Sequence, residues 1–153
     1  MKPGTVLFDR EFEFSDGTTG EKLFVLLSDG TEGNYISVKT TSQDKLYSVA
    51  GQCQITCRFP NYFIPKHAGI FEKHTWIQLD EFFELNKIWL DGEVGAGKIY
   101  RICELGTLTI PVLGCARDAP DIAGTQKTRV QNAIATLQAE AEEKKAPPAR
   151  TPP

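Results

Sequence analysis

Phe12-Glu13-Phe14-Ser15-Asp16-Gly17, Lys22-Leu23-Phe24-Val25-Leu26-Leu27-Ser28 and Tyr35-Ile36-Ser37-Val38-Lys39-Thr40-Thr41-Ser42 follow one another early in the chain, and their reading decides the fold. The first piece alternates aromatic and polar residues up to an Asp-Gly pair, a strong signal for a tight turn. The second carries an unbroken apolar run from Leu23 to Leu27, which suits a strand covered on both faces. Asp29-Gly30 and Gly33-Asn34 mark the next reversal, after which Tyr35 to Val38 alternates again. Lys39, Thr40, Thr41 and Ser42 then bring one ammonium and three hydroxyls to a single strand terminus.

Outward from this stretch the chain stays β-rich. Thr5 to Phe8, between Pro3-Gly4 and Asp9-Arg10-Glu11, predicts a first strand. Gln43 to Gly51 predicts a loop bordering the hydroxyl cluster. Gln54 to Phe59 alternates like a strand, and Asn61 to Ile64, bracketed by Pro60 and Pro65, reads as an edge strand or extended connector. Trp76 to Leu79 predicts another strand, and Asp80 to Leu85 a turn or short helix. Lys98 to Ile102 predicts a final strand that closes a hairpin across the glycine-rich Asp91 to Gly97. Leu105, Leu108, Val112 and Leu113 mark a helix interrupted by Gly106 and Pro111. Val130, Ala133, Ile134, Leu137 and Ala141 recur at intervals of three and four, predicting a helix over about 125–143 with Thr125 as N-cap. The proline-rich 146–153 has almost nothing to bury and reads as a disordered tail.

The expected organisation is mainly β with C-terminal α. A small β-barrel spans 1–122 with an inserted segment at about 49–73, followed by a helix over 123–145 and the tail. At 153 residues one domain buries enough surface to need no staples. The net charge of −3 argues against broad, nonspecific phosphate binding, which scales with the number of neutralising cations, and leaves room for a local basic patch. No apolar run is long enough to span a bilayer and the start does not read as a signal peptide, so a cytoplasmic protein without a membrane partner is expected. In that reducing setting Cys53, Cys57, Cys103 and Cys115 are expected as free thiols.

Four constellations carry chemistry. Lys22 offers charge, Thr41 and Ser42 offer hydrogen bonds to phosphate, and Asp9, Arg10, Asp16, His67 or His74 offers proton transfer, together a set for metal-free RNA cleavage. Lys39, Thr40, Arg10 and Asp16 are candidates for holding the RNA. The bland alternative is that the lysines are solvated and the hydroxyls close turns. Cys53-x-x-x-Cys57 with His67 and His74 has permissive zinc spacing, but cysteine is commonly buried for its own sake and no metal is expected. Gly92 to Lys98 meets part of a phosphate-binding loop, yet Ile99 stands where a hydroxyl must hold magnesium, so a hairpin turn is expected and no cofactor. Phe59, Tyr62, Phe63, Phe71 and Trp76, interleaved with Arg58, Lys66, Lys73 and His74, offer stacking surfaces, although most are expected in the core.

The pieces Gly4-Thr5-Val6, Phe12 to Gly17, Leu26-Leu27-Ser28, Thr40-Thr41-Ser42 and, later, Trp76 to Glu81 resemble the PemK/MazF family of toxins. That resemblance implies a dimeric SH3-like barrel that cuts single-stranded RNA at selected sequences without a metal, and an antitoxin that covers the groove with an extended acidic peptide. By matching position it implies roles for Lys22, Thr41 and Ser42. The family has Arg-Pro where this chain has Lys22-Leu23, and lysine keeps the charge while losing the planar fork that grips phosphate through two bonds. The alternative expectation is a binding module on the same fold with a protein or nucleic-acid partner and no catalysis.

Overall fold

The computed structural model describes residues 1–145. Its body is one antiparallel sheet of eight strands: β1 Thr5–Glu13, β2 Thr19–Leu26, β3 Asn34–Thr41, β4 Cys53–Gln54, β5 Asn61–Ile64, β6 Thr75–Gln78, β7 Phe83–Asn86 and β8 Ile99–Glu104. Three α-helices accompany it: α1 Lys87–Gly95, α2 Thr109–Asp118 and α3 Gly124–Lys145. The hydrogen-bonded order runs β4-β5-β6-β3-β2-β1-β8, with β7 also on β3. The architecture is mixed β and α, and the path is open, since β4 and β8 end it without pairing to each other.

Strand β3 is the hinge of this arrangement. On one side it pairs with β2; on the other its first half pairs with β7, Tyr35 opposite Leu85, and its end pairs with β6, Thr41 opposite Trp76. The apolar run of β2 is covered on both faces because alternate residues enter two different cores. Val25 joins Val6, Ile36, Val38 and Ile77 beneath α2 and α3, while Phe24 and Leu26 join Leu7, Phe12, Tyr35 and Ile99 beneath Leu90 of α1. Gly17, at the Asp16-Gly17 turn, has φ +84, which a side chain would strain. Gly30, at φ +76, would drive a Cβ to within 2.9 Å of the Tyr35 ring.

Several expectations are corrected. No hairpin spans Asp91 to Gly97; that stretch belongs largely to α1. Asn86 caps the helix by accepting from the Trp89 N–H at 3.0 Å, Lys87 pairs with Asp91 one turn on, and Leu90 faces the core, so helical spacing overrides the Asp-Gly signal. Asp80 to Leu85 yields strand β7 from Phe83 onward, because Phe83 and Leu85 pack on the inner cluster while Glu84 turns outward to Arg129. Asn61–Ile64 is an interior strand paired on both sides, its prolines standing just outside the ladder where no N–H is needed. Of the strand expected over Gln54 to Phe59 only Gln54 pairs, together with Cys53 before it, and the residues after Gln54 turn back toward β5.

Pro111 falls in the first turn of α2, where its missing donor costs nothing, and a short 3₁₀ turn at Gly106–Leu108 leads into it. Helix α3 begins at Gly124, so Thr125 lies inside it and does not cap it. Its stripe rests on this chain's own core through Val130 and Ile134, with Ala133 and Leu137 beside them. Arg129 ties the helix to the sheet through Glu84 at 3.0 Å, Glu32 at 3.4 Å and the Asn34 carbonyl. Cys53 and Cys115 form a disulfide between β4 and α2, against the expectation of four free thiols; Cys57 and Cys103 are free. Among the described residues no helix is long and apolar enough to cross a membrane. The expected tail at 146–153 lies outside the described residues.

Candidate functional site

Strand register decides which polar residues of the opening stretch meet. Phe24 faces Lys39 across β2 and β3, and the Thr40 hydroxyl donates to the Leu23 carbonyl at 3.2 Å, which keeps the strands together one pair further. The pairing of β2 with β3 ends at Phe24 and Lys39; Lys22 lies two positions before Phe24 on β2, and Thr41 two positions after Lys39 on β3, where it pairs with Trp76 of β6. Directly opposed residues, and residues two apart on one strand, share a face of the sheet, so Lys22, Lys39 and Thr41 lie on the face that also carries Phe24. Asp9, opposite Lys22 on β1, joins them there.

Lys39 is the centre of this cluster. Its Nζ lies 3.4 Å from Glu81 Oε2, 5.3 Å from the Phe83 ring centroid and 5.8 Å from that of Phe14. Its side chain is only 14% exposed, so two rings and a carboxylate hold the ammonium where water is scarce. Glu81 also accepts from the Ser15 hydroxyl at 2.7 Å, which joins the β1–β2 turn to the approach of β7. Lys22 is half-buried, and burial followed by the nearby Lys39 charge holds its ammonium pKa below the usual lysine range. Thr41 borders a cleft of about 330 Å³ lined also by Gln43, Lys45, Leu46, Tyr47 and Gln78. The wall of that cleft is firm: Tyr47 stacks on Trp76 with ring centroids 5.7 Å apart, and the Trp76 indole N–H donates to the Ser48 carbonyl.

The remaining sequence candidates are placed elsewhere or otherwise engaged. Thr40 points to the opposite, core face and is 4% exposed, so the three hydroxyls do not converge as expected. Ser42 is exposed just beyond the end of β3. Asp16 accepts from both the Thr18 N–H and the Thr18 hydroxyl, which hold its carboxyl below the usual carboxylate range and mark it as a turn residue. Arg10 lies over the Tyr100 ring at 5.5 Å, toward β8 and away from Lys39. His74 accepts from the Lys66 N–H and packs edge-on against Phe63, and His67 is exposed on a 3₁₀ turn. Cys53 is spent on the disulfide, and among the described residues no three His, Cys, Asp or Glu side chains are grouped to hold a metal ion. Gly92 to Gly95 close α1, so the glycine-rich segment forms no cradle before a helix. Tyr62, Phe63 and Trp76 are core, with Phe59 and Phe71 half-buried.

Glu81 and the pair Phe14 and Phe83 are site residues that the sequence reading missed. Asp80-Glu81 reads as a solvated acidic face, and nothing local in the sequence links Glu81 to Lys39, 42 positions earlier. No family model matches this chain, and no curated protein matches it.

Proposed function

We propose that the chain is a PemK/MazF-like endoribonuclease on an SH3-type β-rich scaffold, cutting single-stranded RNA without a metal at the face that carries Lys22, Lys39 and Thr41. One observation supports this reading above the others: Phe24 faces Lys39 across β2 and β3, and strand alternation puts Lys22, two positions from Phe24, and Thr41, two positions from Lys39, on that same face, with the Lys39 charge felt at Lys22. Two ammonium groups and a hydroxyl on one firm face suit a phosphodiester whose charge grows in the transition state. The 2′-hydroxyl proton passes to Glu81 as the 2′-oxygen bonds to phosphorus. The bond from phosphorus to the 5′-oxygen then breaks, and Lys22 gives that oxygen its proton, leaving a 2′,3′-cyclic phosphate and a 5′-hydroxyl. A lysine whose pKa is lowered is a better acid for this step than an ordinary one. Thr41 and Lys39 stabilise the phosphoryl oxygens, and Ser42 is placed to contact the strand as it leaves.

The resemblance to that family, and not the lysine face itself, carries the further expectation of a cytoplasmic setting, a homodimer and an antitoxin. In that setting the Cys53–Cys115 link is exposed to reduction. The second reading, a binding module without catalysis, is favoured by the Lys39–Glu81 pair, since a neutralised cation is a weaker phosphate ligand. Incubating the protein with a mixed RNA pool in EDTA separates the two. Defined cuts lost in Lys22→Ala are expected. A folded wild-type protein that cuts nothing would leave the binding module in place.

A further inference from the structure

We propose that the aromatic groove between the β1–β2 turn and α1 docks a cationic segment of a partner protein, one that presents arginine or lysine among apolar residues. The groove has a volume of about 470 Å³. Phe14 and Phe83 form its apolar floor, Trp89 of α1 stands on its far side, and Asp9, Glu11 and Glu13 make its rim. Phe12 anchors the floor from beneath, with ring centroids 5.6 Å from Phe14 and 5.5 Å from Phe83, so the surface is built in advance of any ligand.

The charge of the rim selects the occupant. Among the described residues none of the three carboxylates makes an ion pair. The cation beside the floor, Lys39, is already matched by Glu81. Uncompensated negative charge over an apolar floor repels a phosphate backbone and attracts a guanidinium or ammonium carried on an apolar stem. Aromatic faces add to this, because a planar guanidinium stacks on them. Trp89 is 48% exposed and its neighbour Ile88 84%, an unusual pair of apolar side chains to leave in water. Through Asp9, Glu11 and Trp89 the groove continues into a second cleft, also about 470 Å³, whose lining is mixed in charge: Arg10 and Lys98 stand there with Glu93 and Tyr100, so the cationic side chains of the occupant are held over the first groove. The combined length suits an extended segment more than a single side chain. This docking does not rest on RNA cleavage, although the groove adjoins the lysine face and shares Asp9, Phe14 and Phe83 with it.

The test uses the full chain and a fluorescein-labelled synthetic peptide in which arginine alternates with leucine and phenylalanine, beside its counterpart with glutamate for arginine. Anisotropy titrations should show the arginine peptide binding with a dissociation constant on the order of 10 μM, weakening as salt is raised. Affinity should fall at least about tenfold in Glu11→Lys/Glu13→Lys and in the milder Glu11→Gln/Glu13→Gln. The glutamate peptide should not bind. Circular dichroism checks that each variant is folded, and both rim residues are exposed, so their substitution leaves the core intact. Three results would overturn the proposal: no binding of the arginine peptide, equal binding of the glutamate peptide, or affinity unchanged in both double variants. Self-association of the chain that the rim variants abolish would assign the groove to a second copy and also overturn it.

Discussion

Lys39 Nζ and Glu81 Oε2 lie 3.4 Å apart, and the other oxygen of Glu81 holds the Ser15 hydroxyl. Glu81 is therefore fixed between the β1–β2 turn and the lysine face. If it takes the 2′-hydroxyl proton, Glu81→Gln keeps the shape and removes the base. Single-turnover RNA cleavage should fall by about 10²- to 10⁴-fold, while RNA affinity rises because Lys39 loses its counter-ion. A variant that cleaves at the wild-type rate would remove Glu81 from the mechanism.

Lys22 supplies a pH dependence whose sign follows from its lowered pKa. Below its folded pKa the lysine is charged in both states, and the folded protein bears the full cost of holding that charge half-buried. As pH rises from the folded value toward the ordinary lysine value of about 10.4, the folded state loses its proton first and the cost is relieved. Lys22→Met should therefore be more stable than wild type at neutral pH, with the advantage shrinking as pH approaches that value. Urea titrations across the alkaline range read this. In the same window cleavage by the wild type should decline, since Lys22 can no longer donate a proton.

Thr40 and Thr41 are adjacent in sequence and opposite in role. The Thr40 hydroxyl is buried and donates to the Leu23 carbonyl, so Thr40→Val should cost about 1 kcal/mol of stability and leave cleavage intact. Thr41 faces the cleft, and Thr41→Val should leave the urea midpoint nearly unchanged while cleavage drops about tenfold or more. The reverse pattern would mean that the two strands are out of the register described.

The disulfide between Cys53 and Cys115 closes a separation of 62 residues and ties β4, close to the loop that borders Thr41, to α2. Cross-linking residues this far apart restricts the unfolded chain, and an upper value for the stabilisation is about 4 kcal/mol. Dithiothreitol should lower the urea midpoint of the wild type and leave Cys53→Ser/Cys115→Ser unaffected. Equal midpoints with and without reductant in the wild type would show that the link carries no stability.

Much of this architecture was legible because the relevant signals are local. The two-faced burial of β2 follows from Leu23 to Leu27 being apolar at every position, and the α3 stripe follows from Val130, Ile134 and Leu137 at helical spacing. The Asp91-Gly92 pair misled because turn propensity competes with helix spacing. The capped turn around Asn86, the Lys87–Asp91 pair and the burial of Leu90 prevail over it. The free-thiol expectation failed because it rested on compartment alone, and the pairing of Cys53 with Cys115 depends on where α2 comes to rest.

Residue order alone determined the period of each element and the places where the chain turns, since these depend on neighbours a few positions apart. It could name Lys22, Lys39, Thr40, Thr41 and Ser42 as a group, and the alternation of a strand already implies that neighbours point opposite ways. Which of the two faces is the core was decided only in three dimensions. Packing of α2 and α3 against Val25, Val38 and Ile77 made the side of Thr40 the interior and left Thr41 with Lys22 and Lys39. The approach of β7 then brought Glu81 and Phe83 to Lys39, a contact between distant segments that no local pattern encodes.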